Sequence, residues 1–288
     1  MIKLVTMLIV LLCIKSSLAQ FENTDTGARA IGLNGAYTSL SNNSIAVFYN
    51  PSGLGQIKFR EISAFYTPSI FGISGLTQTS FSYAEPLGFG TIGSGINSFG
   101  FDLYREFNLL LSYGNVIREK VFLGFSVNYY NLSIQNYGSA SSFGLDIGAL
   151  AYITDFMRWG FAAKNMTGST IGISKEKIPQ VYNTGLTFQP KEDLLFVIEA
   201  EKDVRYPLSF RSGFEYAVFD QAEIRSGIST EPVSFTAGLG LSYGLFQLDY
   251  AINNHQDLGI SHQGSITVNF GGPAAKKFYR TQLVNAFK

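Results

Sequence analysis

Residues 233–254 read Val-Ser-Phe-Thr-Ala-Gly-Leu-Gly-Leu-Ser-Tyr-Gly-Leu-Phe-Gln-Leu-Asp-Tyr-Ala-Ile-Asn-Asn. Apolar side chains stand at every second position from Val233 to Tyr243 and again from Phe246 to Ile252, with small or polar residues between them. Because successive side chains of a β-strand point to opposite faces, this period of two predicts two strands, each with one apolar face. Gly244-Leu245 is left between them as a short turn.

The same alternation recurs along most of the chain after residue 58. Most of these segments are about nine to eleven residues long or longer, the length that a tilted strand needs to cross a bilayer. Strands of a β-sandwich, which also alternate, are usually nearer about five or six residues. We therefore predict an all-β fold, a transmembrane antiparallel β-barrel of about fourteen strands. The segments lie near 59–67, 76–85, 88–99, 105–115, 120–134, 141–153, 157–165, 180–189, 194–202, 207–217, 222–230, 233–243, 246–254 and 261–270.

The lengths of the connections favour the same fold. Connections after even-numbered segments are short, and those after odd-numbered segments tend to be longer, notably 68–75, 135–141 and 166–179. Outer-membrane barrels have short periplasmic turns and longer external loops. We therefore expect both termini of the mature chain to be periplasmic. The short connection near Glu231-Pro232 does not fit this rule.

The first nineteen residues have the features of an export signal. Met1-Ile2-Lys3 is a basic start, residues 4–14 form an apolar run, and Ser17-Leu18-Ala19 supplies the small residues of a cleavage site. The run is too short to span a bilayer as a helix. Cleavage before Gln20 would also remove Cys13, the one cysteine of the chain, which excludes disulfides and cysteine-based metal sites from the mature protein.

The composition narrows the class of protein further. Aromatic residues make up 15% of the chain and charged residues only 15%, whereas a soluble domain is about a quarter charged. The formal net charge is zero, so no basic surface indicates a nucleic-acid partner. An exported, aromatic-rich chain with few charges favours a barrel in a bacterial outer membrane, in contact with outer-membrane lipid.

The segment that precedes the strands has a different character. Residues 27–37 read Gly-Ala-Arg-Ala-Ile-Gly-Leu-Asn-Gly-Ala-Tyr, and residues 49–54 read Tyr-Asn-Pro-Ser-Gly-Leu. The glycines permit close backbone approach, Asn-Pro-Ser-Gly is a turn sequence, and the apolar residues need cover. We predict that residues 20–57 form a plug-like segment that seats in or against the barrel. An ordinary surface loop is the alternative.

These two motifs resemble the start of PorV/PorQ-family proteins, which belong to the wider FadL-like group of outer-membrane barrels. The resemblance implies a fourteen-stranded barrel with an N-terminal segment packed in or under the lumen. It marks Arg29, Asn50, Pro51 and Gly53 as the plug motif. The expected organisation is a signal peptide (1–19), a plug-like segment (20–57), an outer-membrane β-barrel (58–270) and a basic periplasmic tail (271–288).

The resemblance also implies a function. PorV-like proteins serve the type IX secretion machinery of Bacteroidota-type bacteria, where they bind exported proteins or neighbouring translocon subunits. We therefore expect a non-enzymatic accessory of protein secretion or surface assembly, with secretion-machinery or surface proteins as partners. The alternative is a FadL-like channel for long-chain fatty acids or other small hydrophobic molecules. The absence of long external loops that could build a lipid-capture groove counts against this alternative.

Six charged residues cluster on the polar faces of neighbouring predicted strands. One interpretation is a selectivity or docking surface for a ligand. The other, which we favour because lumen faces are normally polar, is an internal network of ion pairs that fills a narrow barrel. The cluster is equally suited to anchor Arg29 of the plug-like segment. Its members are Glu199, Glu201, Arg211, Glu215, Glu223 and Arg225.

The eighteen residues after Phe270 carry basic side chains and no acidic ones. Apolar residues beside these charges are compatible with a short amphipathic helix. Such a tail would bind a periplasmic partner or anionic headgroups, and a frayed terminus is the alternative. The predicted contact residues are Lys276, Lys277, Phe278 and Arg280.

Nothing in the sequence indicates catalysis. The two histidines, His255 and His262, stand in no order that suggests a Ser-His-Asp triad and at no spacing typical of a metal site. No nucleophile, base and orienting group can be assembled from the motifs. We therefore expect no enzyme activity, no catalytic residue, no metal site and no cofactor.

Overall fold

The computed structural model describes residues 20–22 and 25–288. The predicted signal peptide lies outside the described residues. Fourteen long strands form one closed antiparallel barrel in which each strand pairs with its neighbours in the sequence. The ring closes where the first strand pairs with the last, with Glu61 opposite Asn269. The predicted all-β barrel of about fourteen strands is therefore confirmed.

The barrel strands, labelled β1 to β14 in chain order, match the alternating segments of the sequence one for one. They are Glu61–Ile70, Ile73–Leu87, Gly90–Phe101, Tyr104–Arg118, Val121–Ile134, Gly138–Thr154, Met157–Lys164, Val181–Lys191, Leu194–Asp203, Ser209–Phe219, Ala222–Thr230, Val233–Tyr243, Phe246–His255 and Gly259–Asn269.

The wall of the barrel is apolar outside and polar inside. On β12 and β13, Leu239 is 56% exposed and Leu248 is 53% exposed, whereas Thr236 is 4% and Asp249 is 5% exposed. A soluble protein shows the opposite distribution, because burial in its core favours apolar side chains. This inverted pattern is typical of a barrel whose outer surface faces lipid. None of the helices in the described part of the chain is long and apolar enough to cross a membrane.

We call the end of the barrel where β1 begins and β14 ends the lower end, and the opposite end the upper end. The connections at the upper end are as short as the two-residue turns of the lower end or a few residues longer, with one exception, and the longer connection expected at 68–75 is a tight turn. Phe71 and Gly72, with φ angles of 55° and 74°, join β1 directly to β2. Positive φ at both central residues fits the right-handed twist of a two-residue hairpin. Because Phe is an unusual residue for this conformation, the turn was hidden in the sequence.

The segment predicted as a loop at 135–141 is also mostly strand, since β6 already begins at Gly138. Only the connection between β7 and β8 is long. It carries a small two-stranded hairpin of its own, Thr170–Ile171 with Glu176–Lys177. The upper end therefore has one long loop, and its other connections are short.

Residues 25–57 lie inside the barrel. They form helix α1 (Ala28–Gly32), helix α2 (Ala46–Tyr49) and a 3-10 helix (Pro51–Gln56). Within 26–57 every residue except Arg29 and Asn43 is buried, although the helices are far too short to have a core of their own. The barrel wall therefore supplies the cover that these apolar residues need. We refer to residues 25–57 as the plug segment.

The chain enters the barrel from the upper end. Phe21 packs edge-on against Tyr130, with ring centroids 5.1 Å apart, and Glu22 pairs with Arg205 of the upper connection between β9 and β10. The expectation that both termini lie on one side is therefore wrong for the described chain. Counting strands fixes only where β1 begins and β14 ends, whereas the plug segment spans the lumen and carries residues 20–22 to the far end.

Glycines on the inner wall let the plug segment approach closely. Gly114, Gly124 and Gly148 lie side by side on β4, β5 and β6. A Cβ atom on Gly124 would lie 2.4 Å from the backbone carbon of Pro51, and one on Gly148 would lie 1.9 Å from Oδ1 of Asn50. Such distances are impossible for real side chains, so these wall positions require glycine.

The chain ends in helix α3 (Gly272–Asn285), which packs against the lower end. Its Leu283 is fully buried in an apolar cluster with Phe122, Leu150 and Tyr152. Lys120 lies over the ring of Phe287, with its Nζ atom 3.5 Å from the ring centroid. The tail is therefore an ordered helix bound to the barrel and not a frayed terminus.

The glycine row generates a prediction about stability. Gly124→Ala should destabilise the folded barrel by about 1 to 3 kcal/mol, because the added methyl group overpacks the contact with the plug segment. The temperature at which the folded band is lost in semi-native electrophoresis measures this effect. Gly88→Ala is the matched control, since a Cβ there meets no atom within 4 Å. Equal midpoints for the two variants would contradict the packing argument.

Candidate functional site

The predicted plug motif forms the turn that fixes the plug segment to the wall. The side-chain oxygen of Asn50 accepts hydrogen bonds from the backbone N–H and the hydroxyl of Ser52, at 3.2 and 2.6 Å. Its Nδ2 donates to the carbonyl oxygens of Thr38, at 2.8 Å, and of Ala149 on β6, at 3.2 Å. Pro51 begins the 3-10 helix that follows. The Asn-Pro turn therefore joins two parts of the plug segment to one strand.

Gly53 of the same motif is required by close approach. A Cβ atom there would lie 2.1 Å from the carbonyl oxygen of Ser41. Gln56 makes a second link to the same part of the plug segment. Its Nε2 atom donates to the carbonyl oxygens of Leu40 and Ser41, at 3.3 and 3.1 Å. The motif thus folds the plug segment back on itself inside the lumen.

Arg29 is the cationic anchor of the plug segment. It forms two parallel hydrogen bonds to the carboxylate of Glu215 on β10, both at 2.8 Å. Its Nη1 atom also donates to Oδ1 of Asn42, at 2.9 Å, and to the hydroxyl of Tyr37, at 3.2 Å. A bidentate contact between a guanidinium and a carboxylate is among the strongest charge-assisted arrangements.

Arg225 on β11 is the centre of the lower charge cluster. Its side chain is completely buried and contacts three carboxylates, those of Glu215, Glu223 and Asp249. The distances to Glu215 and Asp249 are 2.5 and 2.6 Å. Asp249 was missing from the predicted cluster. Its inward register on β13, two strands from Arg225, was the signal that could have found it.

The remaining predicted charges form a second cluster nearer the upper end. Arg211 pairs with Glu201, at 2.6 Å, and with Asp25 of the plug segment, at 2.9 Å. Glu199 accepts hydrogen bonds from the backbone N–H and the hydroxyl of Thr38, at 2.9 and 3.0 Å. The six predicted lumen charges are thus brought together in two groups, and both groups bind the plug segment. Their role toward any external ligand stays a prediction.

The predicted tail residues point to different surroundings. Lys276 contacts Glu223, at 3.2 Å, and donates to the hydroxyl of Ser242, at 3.0 Å. Burial lowers the pKa of Lys276, an effect that Glu223 opposes. Arg280 contacts Asp220, at 3.1 Å, and Glu223, at 3.5 Å. These cations are thus engaged by the barrel itself.

The other two predicted tail residues differ from each other. Phe278 packs edge-on against Phe59 at the start of the barrel, with centroids 6.2 Å apart. Lys277 is exposed. Of the four residues proposed for binding a partner, only Lys277 is exposed, and it borders the space between α3 and the barrel.

Cavities border the plug segment at both ends of the barrel. The lower one has a volume of about 630 Å³ and lies between the plug segment, the wall and α3, with charged groups such as Arg29, Glu61 and Lys276 around it. At the upper end, one cavity of about 50 Å³ lies beside Phe21, and another of about 70 Å³ lies beside Phe71. We call the cavity beside Phe21 the upper cavity. It is bordered by eight apolar and six polar side chains: Phe21, Phe48, Phe99, Leu110, Tyr130, Ile178, Pro179, Val181, Asn97, Glu106, Asn108, Asn128, Asp146 and Lys164.

Phe21 occupies an apolar niche beside the upper cavity. The ring is 6% exposed and belongs to a cluster with Tyr130, Leu132, Ile171 and Ile178. Two of these residues come from β5, and the other two come from the long connection between β7 and β8. Local sequence patterns do not reveal this niche, because its walls lie more than 100 residues from Phe21 along the chain.

Comparison with known proteins identifies relatives of the fold. No family model matches the chain, and no curated protein matches it. The CymD monoaromatic hydrocarbon channel superimposes with a TM-score of 0.66 over 87% of this chain and 99% of its own, at 11% identity. A FadL homologue from Pseudomonas aeruginosa gives 0.63 over 85% and 99%, at 14% identity. The toluene transporter TodX from Pseudomonas putida gives 0.57 over 81% and 94%, at 12% identity.

These comparisons show that the chain has the FadL-like barrel fold. They also show that the fold is present almost whole, since 94 to 99% of each of these three solved chains is matched. At 11 to 14% identity the likeness is one of fold, so the function is argued from the site.

The ion pair between Arg29 and Glu215 generates the second prediction. Arg29→Met should lower the free energy of unfolding by about 3 kcal/mol, because it removes one of the two guanidinium partners of a buried carboxylate. Urea unfolding in lipid vesicles, followed by the fluorescence of Trp159, measures the change. Glu215→Gln and the double variant complete a thermodynamic cycle that isolates the pair.

The control is Arg60→Ala, which breaks the pair between Arg60 and Glu85 at the barrel surface. Exposed ion pairs contribute little, so this variant should unfold close to the parent chain. A loss for Arg29→Met no larger than that for Arg60→Ala would show that the plug segment is held by packing alone.

Proposed function

We propose that this protein is an outer-membrane barrel that admits small hydrophobic molecules, and that the structure represents its closed state. The observation that carries the proposal is the apolar niche at the upper end, which an aromatic ring of the chain itself occupies. The FadL-like fold supports it, since CymD and TodX, which share that fold, are described as a monoaromatic hydrocarbon channel and a toluene transporter.

The location follows from the wall and the predicted export signal. A closed barrel satisfies every backbone hydrogen bond within the wall, which is a requirement for crossing lipid with strands. The apolar outer face then contacts the hydrocarbon, and the aromatic side chains near the strand ends suit the two interfaces. We place the lower end, with its short turns and α3, on the periplasmic side.

A hydrophobic molecule cannot pass through the closed state. The plug segment spans the lumen above the lower cavity, and the upper cavity of about 50 Å³ is too small for an aromatic hydrocarbon. A cavity of about 150 Å³ in a protein interior is known to bind benzene. Withdrawal of the Phe21 ring would enlarge the cavity toward that size. Phe21 therefore acts as an internal substitute for the ligand.

The substitution Phe21→Ala tests this role. It should create a site that binds monoaromatic hydrocarbons, because the vacated niche keeps its apolar walls. Binding of fluorobenzene to the purified barrel, followed by ¹⁹F NMR against empty detergent micelles, should become detectable or at least about tenfold tighter, a change of about 1.4 kcal/mol.

The matched control is Phe219→Ala, which removes an exposed ring from the outside of the barrel. It should leave fluorobenzene binding unchanged. Uptake of labelled toluene by cells with intact outer membranes then relates binding to transport. If Phe21→Ala and Phe219→Ala bind fluorobenzene alike, the niche is not a hydrocarbon site.

One observation favours a second candidate function. The lumen is filled by a plug segment with many polar and ionic contacts, as a barrel that serves only as a docking platform would be. In that case the protein is a PorV/PorQ-like accessory of type IX secretion in a Bacteroidota-type outer membrane, and its partners are other secretion or surface proteins. A tagged pull-down in mild detergent separates the two functions. Recovery of a translocon subunit supports docking, and recovery of the barrel alone with a bound hydrophobic molecule supports transport.

A further inference from the structure

A continuous series of ionic contacts runs from the plug segment to the C-terminal helix. Arg29 of the plug segment contacts Glu215 at 2.8 Å. Glu215 contacts the buried Arg225, which in turn contacts Glu223. Glu223 then contacts Lys276 of α3, at 3.2 Å. The plug segment and α3 are therefore joined through three charged residues of the wall.

The charges of this series balance only when α3 is in place. Arg225 contacts three carboxylates, and Arg29 is the second cation of the cluster. Two guanidinium groups among three carboxylates leave one negative charge without compensation. Lys276 supplies the missing positive charge, and Arg280 adds a further contact to Glu223 at 3.5 Å. An uncompensated buried charge is strongly unfavourable, so the cluster itself favours the bound helix.

Direct contacts join the same two elements. Nε2 of Gln282 lies 3.4 Å from Oε1 of Gln56, the last residue of the 3-10 helix of the plug segment. The backbone N–H of Lys58 donates to the hydroxyl of Tyr279, at 3.4 Å. Phe59 packs edge-on against two aromatic rings of α3. The point where the chain leaves the lumen is thus covered by α3.

The lower cavity provides space for movement. A cavity of about 630 Å³ lies between the lower side of the plug segment and α3, and both elements border this cavity. The wall glycines confine the plug segment on its sides, so the lower end is the direction in which the structure leaves room. Helix α3 lies on the far side of this cavity from the plug segment, at the lower end of the barrel.

We propose that α3 is a latch that holds the plug segment in the closed barrel, and that displacement of α3 from the lower end releases it. The latch works through the contacts of Lys276 and Arg280 with Glu223 and through the cover over residues 56–59. It does not depend on which molecule the barrel admits, so it goes beyond the transport function proposed above.

The rate at which engineered cysteines are labelled tests the latch. Ser39→Cys reports on the plug segment, since Ser39 is fully buried and its hydroxyl contacts Thr187 of the wall at 2.8 Å. Asn43→Cys reports on the lower cavity, which Asn43 borders. In the Lys276→Ala/Arg280→Ala background, a water-soluble thiol reagent should label both positions about fivefold faster or more, because local opening controls access to buried groups. Ion conductance in planar bilayers should rise in the same background.

The matched control is Lys175→Ala/Lys288→Ala, which removes the same charge from two exposed positions that do not border the lower cavity. It should leave both labelling rates unchanged. Faster labelling of Asn43→Cys alone would show that α3 only covers the cavity, and this result would overturn the proposal, as would unchanged labelling at both positions or equal acceleration in the control. The single variant Lys276→Ala should give a smaller acceleration of both rates, and it replaces the double variant if that chain fails to assemble.

Discussion

The structure depends on one constraint, which is that a barrel wall in lipid must satisfy its own backbone hydrogen bonds and so must close on itself. Closure fixes the diameter and turns one face of every strand inward. Fourteen strands enclose more space than their own small and polar inner side chains fill. An unfilled space of that kind forfeits contacts that a packed interior would make. The plug segment occupies this space, and the glycines and charged residues of the inner wall contact it.

Two kinds of contact hold this segment. On the side of β4 to β6, backbone meets backbone across glycines, and the contact is steric. On the side of β9 to β11 both kinds occur, because Gly213 and Gly227 also approach the backbone of the plug segment closely, while Arg29 and Thr38 meet buried carboxylates through an ion pair and charge-assisted hydrogen bonds. Buried carboxylates are unfavourable without partners, so these ionic contacts specify one position of the segment along the lumen. The six predicted charges are therefore explained first as the seat of the plug segment.

The sequence predicted what is periodic and missed what is long-range. Alternation of side chains identified all fourteen strands, because period two is a local property that each strand displays alone. The turn at Phe71 and Gly72 was missed, since its conformation contradicts the usual preference of Phe. The contacts of Phe21 and Lys276 were also missed, since each joins residues that are distant in the chain. Asp249 was overlooked although its alternation on β13 placed it on the inner face. Motifs located the plug turn at Asn50, but only the structure shows that the segment crosses the whole lumen.

That crossing has a consequence for assembly. The first described residues lie at the upper end, and the same chain becomes β1 at the lower end, beside the seam with β14. If the barrel closed first, this segment would have to pass through the narrow lumen, and its charged groups would lose their hydration before they reached their partners. Wrapping the wall around the segment avoids this cost, because each carboxylate then meets its cation as the strands pair. Closure of the seam between β1 and β14 around a segment already in place is the order of assembly that avoids this cost.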